Sequence, residues 1–156
     1  MVQPKSTSRL SSIKSVILTQ TDTTVGFISQ NKIKLSEIKS RDSSKQFIQV
    51  YSTLQALHAS KKRIPPSKRS LVRKSKKTTF IIKGKAFRIS PSTLHSQILR
   101  NAQWNYSTSA NESGKKFDFK FCELKADIII QGKFGLSEKS PSRLLKINNT
   151  KVRRIR

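Results

Sequence analysis

Phosphate chemistry needs cations that converge. Lys39 and Arg41, two positions apart at the end of a helical pattern, offer a mobile ammonium and a bidentate guanidinium for that purpose. The same two side chains on an ordinary solvated helix end would need no ligand at all. A second group, Ser107, Ser109 and Asn111, lies where a β-rich run enters a turn that closes at Gly114. Hydroxyls, an amide and exposed N–H groups in such a place can line a phosphate or a nucleotide, or can bond one another as a Ser/Asn turn. A third group, Thr21, Asp22 and Thr23, follows a short apolar run, at the strand end where open α/β sheets take their ligands. Asp22 can orient its neighbours there or cap the turn. Arg88, inside the run AFRI, reads either as a further cation over an anion or as a surface strand residue.

Other chemistries lack their residues. There is no GxxxxGK loop followed by Ser or Thr, no GxGxxG and no GxSxG elbow. His58 and His95 stand alone without HxxxH or cysteine partners, so no protein-held metal is expected. Cys122 is the single cysteine, which excludes an internal disulfide and any CxxC site, and a lone cysteine reads as a small buried apolar residue. Phe87, Trp104 and Tyr106 lie on strand patterns and read as core before base-stacking platforms.

Charge bears on partners. The chain carries 33 Lys and Arg against 8 Asp and Glu, a formal net charge of +25 over 156 residues, and such a surface attracts polyanions. No acidic residue occurs between Asp42 and Glu112, an interval that holds fourteen lysines and arginines. An RNA-binding face, a pocket for a multiply charged phosphate ligand and a generally basic background all fit that pattern. The apolar runs are far shorter than the roughly 20 residues that cross a bilayer, and no export signal is visible, so a cytoplasmic protein without membrane spans is expected.

The elements that must position these residues alternate between short strands and short helices, the pattern of an α/β layer domain. Strands are expected at 16–19, 47–51, on both sides of Gly84 as a hairpin, and at 104–108, 127–131, 144–147 and 152–155. Helices are expected after an Asn31 N-cap through Ile33, Leu35 and Ile38, then at 53–59, 67–74 beyond the Pro65–Pro66 break, 91–100 and 117–125. The content suits one domain spanning 1–156, with 1–12 and 133–143 loose.

Several blocks, in order, resemble the YrdC-type (YrdC/YciO/YwlC) threonylcarbamoyl-AMP synthase family. QTDTTVGF at 20–27 resembles the family's strand-end TDTVYGL signature, and IKSR at 38–41 with Lys45 and FIQVY resembles its K-x-R-P and K-P-L block. KKTTFII at 76–82 places Thr79 at the threonine of the PGPxT strand entry, and AFRI with Arg88 resembles the short arginine strand. YSTSANESG at 106–114 matches the T-SAN-SG block almost letter for letter, and ADIIIQG followed by SPSR resembles the last segment and its PST-like loop. The resemblance covers roughly residues 15–155. The chain departs from the pattern with Val25 before Gly26, Asp42 after Arg41, Gln46 before Phe47, Ser75, Lys76 and Lys77 for Pro-Gly-Pro, and Arg143 after Ser142.

The resemblance implies a twisted, open, mixed sheet with flanking helices, and a reaction in which L-threonine, bicarbonate and ATP condense to threonylcarbamoyl-AMP and pyrophosphate for tRNA modification. It implies Lys39 and Arg41 as the catalytic cations. ATP would meet Lys39, Arg41, Ser107, Ser109, Asn111 and Arg88, while Thr21, Thr23, Thr79 and Ser142 would receive threonine. Magnesium would travel with ATP, held by phosphates and water. Partners on this reading are tRNA or the tRNA-threonylcarbamoyl transferase machinery. A reading from a different class is a non-catalytic module of the same fold that binds double-stranded RNA, drawn from the acid-free basic interval and the missing prolines.

Overall fold

In the computed structural model, residues 14–40, 42, 44, 46–90, 98 and 102–156 are described. The expected helix at 91–100 lies outside them except for Ile98, as do residues 1–12, Arg41, Lys45 and His95.

Local chemistry sets the helix ends. The Asn31 side chain accepts from the N–H groups of Ile33 and Lys34, at 3.1 and 3.2 Å, and opens α1 (Lys32–Ile38). Thr53 caps α2 (Leu54–Ala59) through the Ala56 N–H, and Asp118 caps α4 (Phe119–Lys125) through those of Lys120 and Phe121. Pro65 and Pro66 interrupt the chain before a single 3₁₀ turn at Pro66–Lys68 and α3 (Arg69–Lys74).

The strands are β1 (Ile17–Gln20), β2 (Val25–Ser29), β3 (Ile48–Tyr51), β4 (Thr78–Ile82), β5 (Lys85–Ile89), β6 (Trp104–Ser109), β7 (Ile128–Ile130), β8 (Arg143–Ile147) and β9 (Val152–Arg154). Among the described residues they form one sheet in the order β7-β1-β2-β6-β3-β5-β4-β8-β9. Pairs β1/β7, β3/β5 and β4/β8 are parallel and the others antiparallel, which makes the sheet mixed as expected. The β4–β5 hairpin closes through Lys83 and Gly84, whose φ values of 48° and 75° are both left-handed, as a two-residue type I′ connection requires.

The expectation had no strand at 25–29. All five residues of β2 are buried because it runs through the sheet interior with both faces covered. Its sequence therefore lacks the polar/apolar alternation that marks a half-exposed strand.

Register assigns the two faces. Gln49 stands opposite Tyr106 and Phe87, and Tyr51 opposite Trp104, so these side chains share one face; Ile48 stands opposite Ser107 and Val50 opposite Arg88, on the other. The first face carries two apolar clusters. One gathers Leu18, Phe27, Leu35 and Cys122 beneath α1 and α4, and the other gathers Tyr51, Leu57, Val72, Phe80 and Phe87 beneath α2 and α3. On the opposite face Ile17 and Ile28 pack with Ile98 and Ala102. Each fully buried aliphatic or aromatic side chain contributes about 1.5–3 kcal/mol of transfer free energy.

The 131–142 segment has no helix or strand, but it is not loose. Ser137 N–H donates to Gln20 Oε1, Lys139 N–H to Thr24 Oγ1, and Val25 N–H to the Ser137 carbonyl, which ties the segment to the β1–β2 turn.

Candidate functional site

The β1–β2 turn brings Thr21 and Thr23 to the end of β1. Thr21 Oγ1 donates to the Thr24 carbonyl at 2.6 Å and accepts from the Thr23 N–H at 3.2 Å, so the turn holds itself rigid. Across β2, Ser107 and Ser109 of β6 stand beside Ile28 and Gly26. A hollow of about 320 Å³ opens between them, lined by Thr21, Thr23, Gly26, Arg88, Ser107 and Ser142 among others, a volume at the small end of ligand sites. Gly26 is required here: a Cβ would lie 2.9 Å from the Thr108 carbonyl oxygen and 3.0 Å from Thr21 Cγ2.

Arg88 is 3% exposed, so it is not a surface strand residue. Its Nη2 lies 3.1 Å from Asp22 Oδ1 and its Nη1 donates to Thr23 Oγ1 at 3.3 Å. The ion pair is imperfect, since among the described residues Asp22 Oδ1 lacks a well-directed hydrogen bond and Arg88 Nε has no partner. Burial pushes the Asp22 carboxyl above its ordinary value, against the pull of Arg88, and burial likewise lowers Arg88 against the pull of Asp22. Both shifts say that desolvation outweighs the attraction, the usual outcome for a dry pair. A buried guanidinium whose Nε–H lacks an acceptor still has a donor to give.

Ser142 lies on the far wall. Its hydroxyl shares a 2.7 Å hydrogen bond with Thr79, which is fully buried on β4, and its carbonyl accepts from Nε and Nη2 of Arg156 at 3.3 and 3.2 Å. Thr79 therefore reaches the hollow only through Ser142.

A second hollow of about 360 Å³ lies past the end of β6, lined by Lys39, Ser40, Asp42, Thr108, Ser109, Asn111, Ser113 and Gly114. Lys39 follows α1, is 8% exposed, and aims its ammonium into the turn: Nζ donates to Ser109 O at 3.1 Å, to Asn111 Oδ1 at 2.9 Å and to the Asn111 carbonyl. Ser109 Oγ donates to the same Asn111 Oδ1 at 2.7 Å, and Asn111 Nδ2 donates to the Lys115 carbonyl at 2.6 Å. Segments some 70 residues apart are thus clamped together, with the ammonium as the bolt.

The structure brings Lys39, Ser109 and Asn111 into one hollow and Thr21, Thr23, Arg88, Ser107 and Ser142 into its neighbour, with Thr108 and Ser109 as the shared wall. Arg41 lies outside the described residues. Arg88 keeps company with the threonines, not with Lys39. Sequence reasoning missed Gly26 and Arg156 as parts of the first hollow. Gly26 was visible in the TDT-plus-glycine block, whereas nothing singled out Arg156 from the other cations. Cys122 is buried with its thiol raised by burial, which makes it inert. Phe87 is core as expected, while Trp104 and Tyr106 are only half-buried. Among the described residues no group of His, Cys, Asp and Glu could hold a metal, and no helix is long and apolar enough to cross a membrane.

No protein-family model matches the chain, and no curated protein sequence does. Solved structures do. Sua5 of P. abyssi superposes with a TM-score of 0.77 at 17% identity, covering 92% of this chain and 52% of that one. Its complex with L-threonine gives 0.73 at 16%, covering 92% and 50%. YciO of E. coli gives 0.72 at 18%, covering 92% and 82%. The chain thus has the fold of these YrdC-type proteins and spans about half the length of Sua5.

Proposed function

We propose that this chain, which carries the Sua5/YciO fold, is an L-threonylcarbamoyladenylate synthase. The observation that carries the reading is the pair of adjoining hollows with a common Thr108–Ser109 wall, one floored by a buried guanidinium among hydroxyls, the other by a cation-clamped Ser/Asn turn. Two anions that must react need two sites that touch.

In the first hollow Arg88, as one of its lining residues, would face the threonine carboxylate, and the Thr21, Thr23, Ser107 and Ser142 hydroxyls would sort the hydroxyl and amine. The L-threonine complex of the Sua5 structure supports that choice of ligand. Threonine and bicarbonate give the N-carboxylate with loss of water. Its oxygen attacks the α-phosphorus of ATP, the bond to the bridging oxygen breaks, and pyrophosphate leaves. In the second hollow the Ser109–Asn111 turn, its geometry fixed by Lys39, would receive the phosphates, joined by the guanidinium of Arg41. All of this is positioning and charge stabilisation, in which the protein forms no covalent bond. Magnesium would enter on the ATP, because the described residues offer it no carboxylate cluster.

The competing non-catalytic reading draws on the three hydrogen bonds that already engage the Lys39 ammonium. Incubation with ATP, L-threonine and bicarbonate separates the two. Pyrophosphate release that needs threonine, and that Lys39→Ala and Arg41→Ala abolish, supports the synthase. Release independent of threonine and of both side chains refutes it.

A further inference from the structure

The two hollows just described are not the molecule's largest concavities. On the other face of the sheet, between α1 and α2, lies a hollow of about 470 Å³ whose walls include Tyr51, Trp104 and Tyr106, with Lys32, Lys62 and Lys85 at its margins. Lys62 also lines a neighbouring groove of about 850 Å³ edged by Lys61, Arg63, Arg69 and Lys83. We propose that these two neighbouring concavities together form a trough that binds single-stranded RNA, with the phosphates along the α2–α3 groove and a base against Trp104 and Tyr106.

Three observations carry it. First, neither concavity has an acidic residue in its lining: apart from Lys32, Ile147, Asn148 and Asn149, both are built from the chain between Asp42 and Glu112, which contains none. A solvated surface of average composition would intersperse signs; this one is a single-sign cleft, which concentrates polyanions. Second, the aromatic rings are not consumed by the core. Trp104 and Tyr106 are half-buried and meet edge to face with centroids 5.2 Å apart, so part of each ring stays open to the hollow. Lys62 Nζ sits 5.6 Å from the Tyr51 ring centre and 6.0 Å from that of Phe87, a cation held over aromatic faces with the Gln49 amide oxygen as its acceptor among the described residues. Aromatic faces beside lysines are the elements of sequence-tolerant single-strand recognition, where each stacked base contributes. Third, Lys61 and Lys83 both hold left-handed backbone, at φ 60° and 48°, in turn positions where Gly or Asn would sit without strain. The groove keeps two cations at a cost in backbone energy.

The pleat separates this trough from the hollows of the proposed reaction. Phe87 and Tyr106 point to one face, Arg88 and Ser107 to the other, so a strand in the trough leaves the Arg88 hollow open. The proposal stands whether or not the chain is a synthase. A duplex fits it less well, because paired bases keep their faces stacked on one another and cannot lie against Trp104.

Trp104 is the single tryptophan of the chain, so its fluorescence reports the trough directly. The full chain is titrated with a 12-nucleotide oligouridylate, then with a blunt RNA duplex of the same length, at about 0.15 M salt. Expected are quenching of Trp104 by the single strand and an affinity at least tenfold above that for the duplex. Combined Arg63→Ala, Arg69→Ala and Lys83→Ala, all at exposed positions, should weaken single-strand binding by at least tenfold. The log–log salt slope should then become shallower by about 2, from about 0.7 per phosphate contact. ATP with L-threonine should not displace the strand. Equal affinity for the duplex, binding without a Trp104 signal, an unaffected triple variant, displacement by ATP, or equally tight capture of phosphatidylserine vesicles by the same residues would each overturn the proposal.

Discussion

Replacing Gly26 by alanine tests whether the narrow passage between β2 and β6 forms the threonine hollow. The added Cβ would stand 2.9 Å from the Thr108 carbonyl oxygen, a backbone atom, and 3.0 Å from Thr21 Cγ2, where ordinary contacts begin at 3.4 Å. Relief requires about half an ångström of separation between two hydrogen-bonded strands, and overpacking of this kind costs about 1–3 kcal/mol. The loss of glycine's unfolded-state freedom returns about 0.4–1 kcal/mol, so the central values leave a net loss of about 1.3 kcal/mol. For a chain of this size that lowers Tm by about 3–5 °C. In the parent protein, L-threonine at 100 times its Kd should add about 2.7 kcal/mol of stability. In Gly26→Ala that gain should vanish, because the methyl group projects between Thr21 and Ser107, two walls of the hollow. Differential scanning fluorimetry with and without L-threonine reads both effects. An unchanged Tm, or a lowered Tm with the full threonine shift intact, would refute the reasoning.

Arg88→Met should abolish threonine-dependent stabilisation. It should lower urea-unfolding stability by about 1–3 kcal/mol and not the 3–5 of a stranded buried charge, because Asp22, already raised by burial, can go neutral; a larger loss would mean that Asp22 stays ionised. Asp22→Asn should show the matching pH dependence. A carboxyl raised in the folded state contributes stability that is complete below 3.8 and is lost as pH rises through the raised value, so the parent should lose stability relative to Asp22→Asn from pH 3.8 upward. The opposite trend would show that Arg88 dominates the carboxyl. Lys39→Met removes three hydrogen bonds to the Ser109–Asn111 turn; amide exchange at 110–115 should accelerate at least tenfold while β4 and β5 stay protected, and uniform protection would show that the turn holds itself.

What the sequence revealed follows from how local each signal is. The Asn31 cap acts within three residues and the hairpin turn at Gly84 within two, so local signals alone located both, whereas the Thr53 and Asp118 caps were read as helix residues. Ile33 reads with Leu35 and Ile38 as one apolar face, yet it is 71% exposed while Leu35 is fully buried. Residues two apart on a helix diverge by about 200° and cannot both face the core. In AFRI the alternation predicts Phe87 inward and Arg88 outward, which holds only for a sheet with one wet face. Here the second face is a hollow, and the outward direction leads into it. The clamp between Lys39 and Asn111 spans 72 positions with no local signature. Only the resemblance of IKSR and YSTSANESG to family blocks pointed toward it.

On the proposed function, the two adjoining hollows join a threonine-derived carboxylate to the adenylyl group of ATP. The direct measurement is mass spectrometry of the products after incubation with ATP, L-threonine and ¹³C-bicarbonate. A synthase yields an adenylate that carries both threonine and the labelled carbon. ATP left intact, or cleaved to an adenylate without the label, would contradict it.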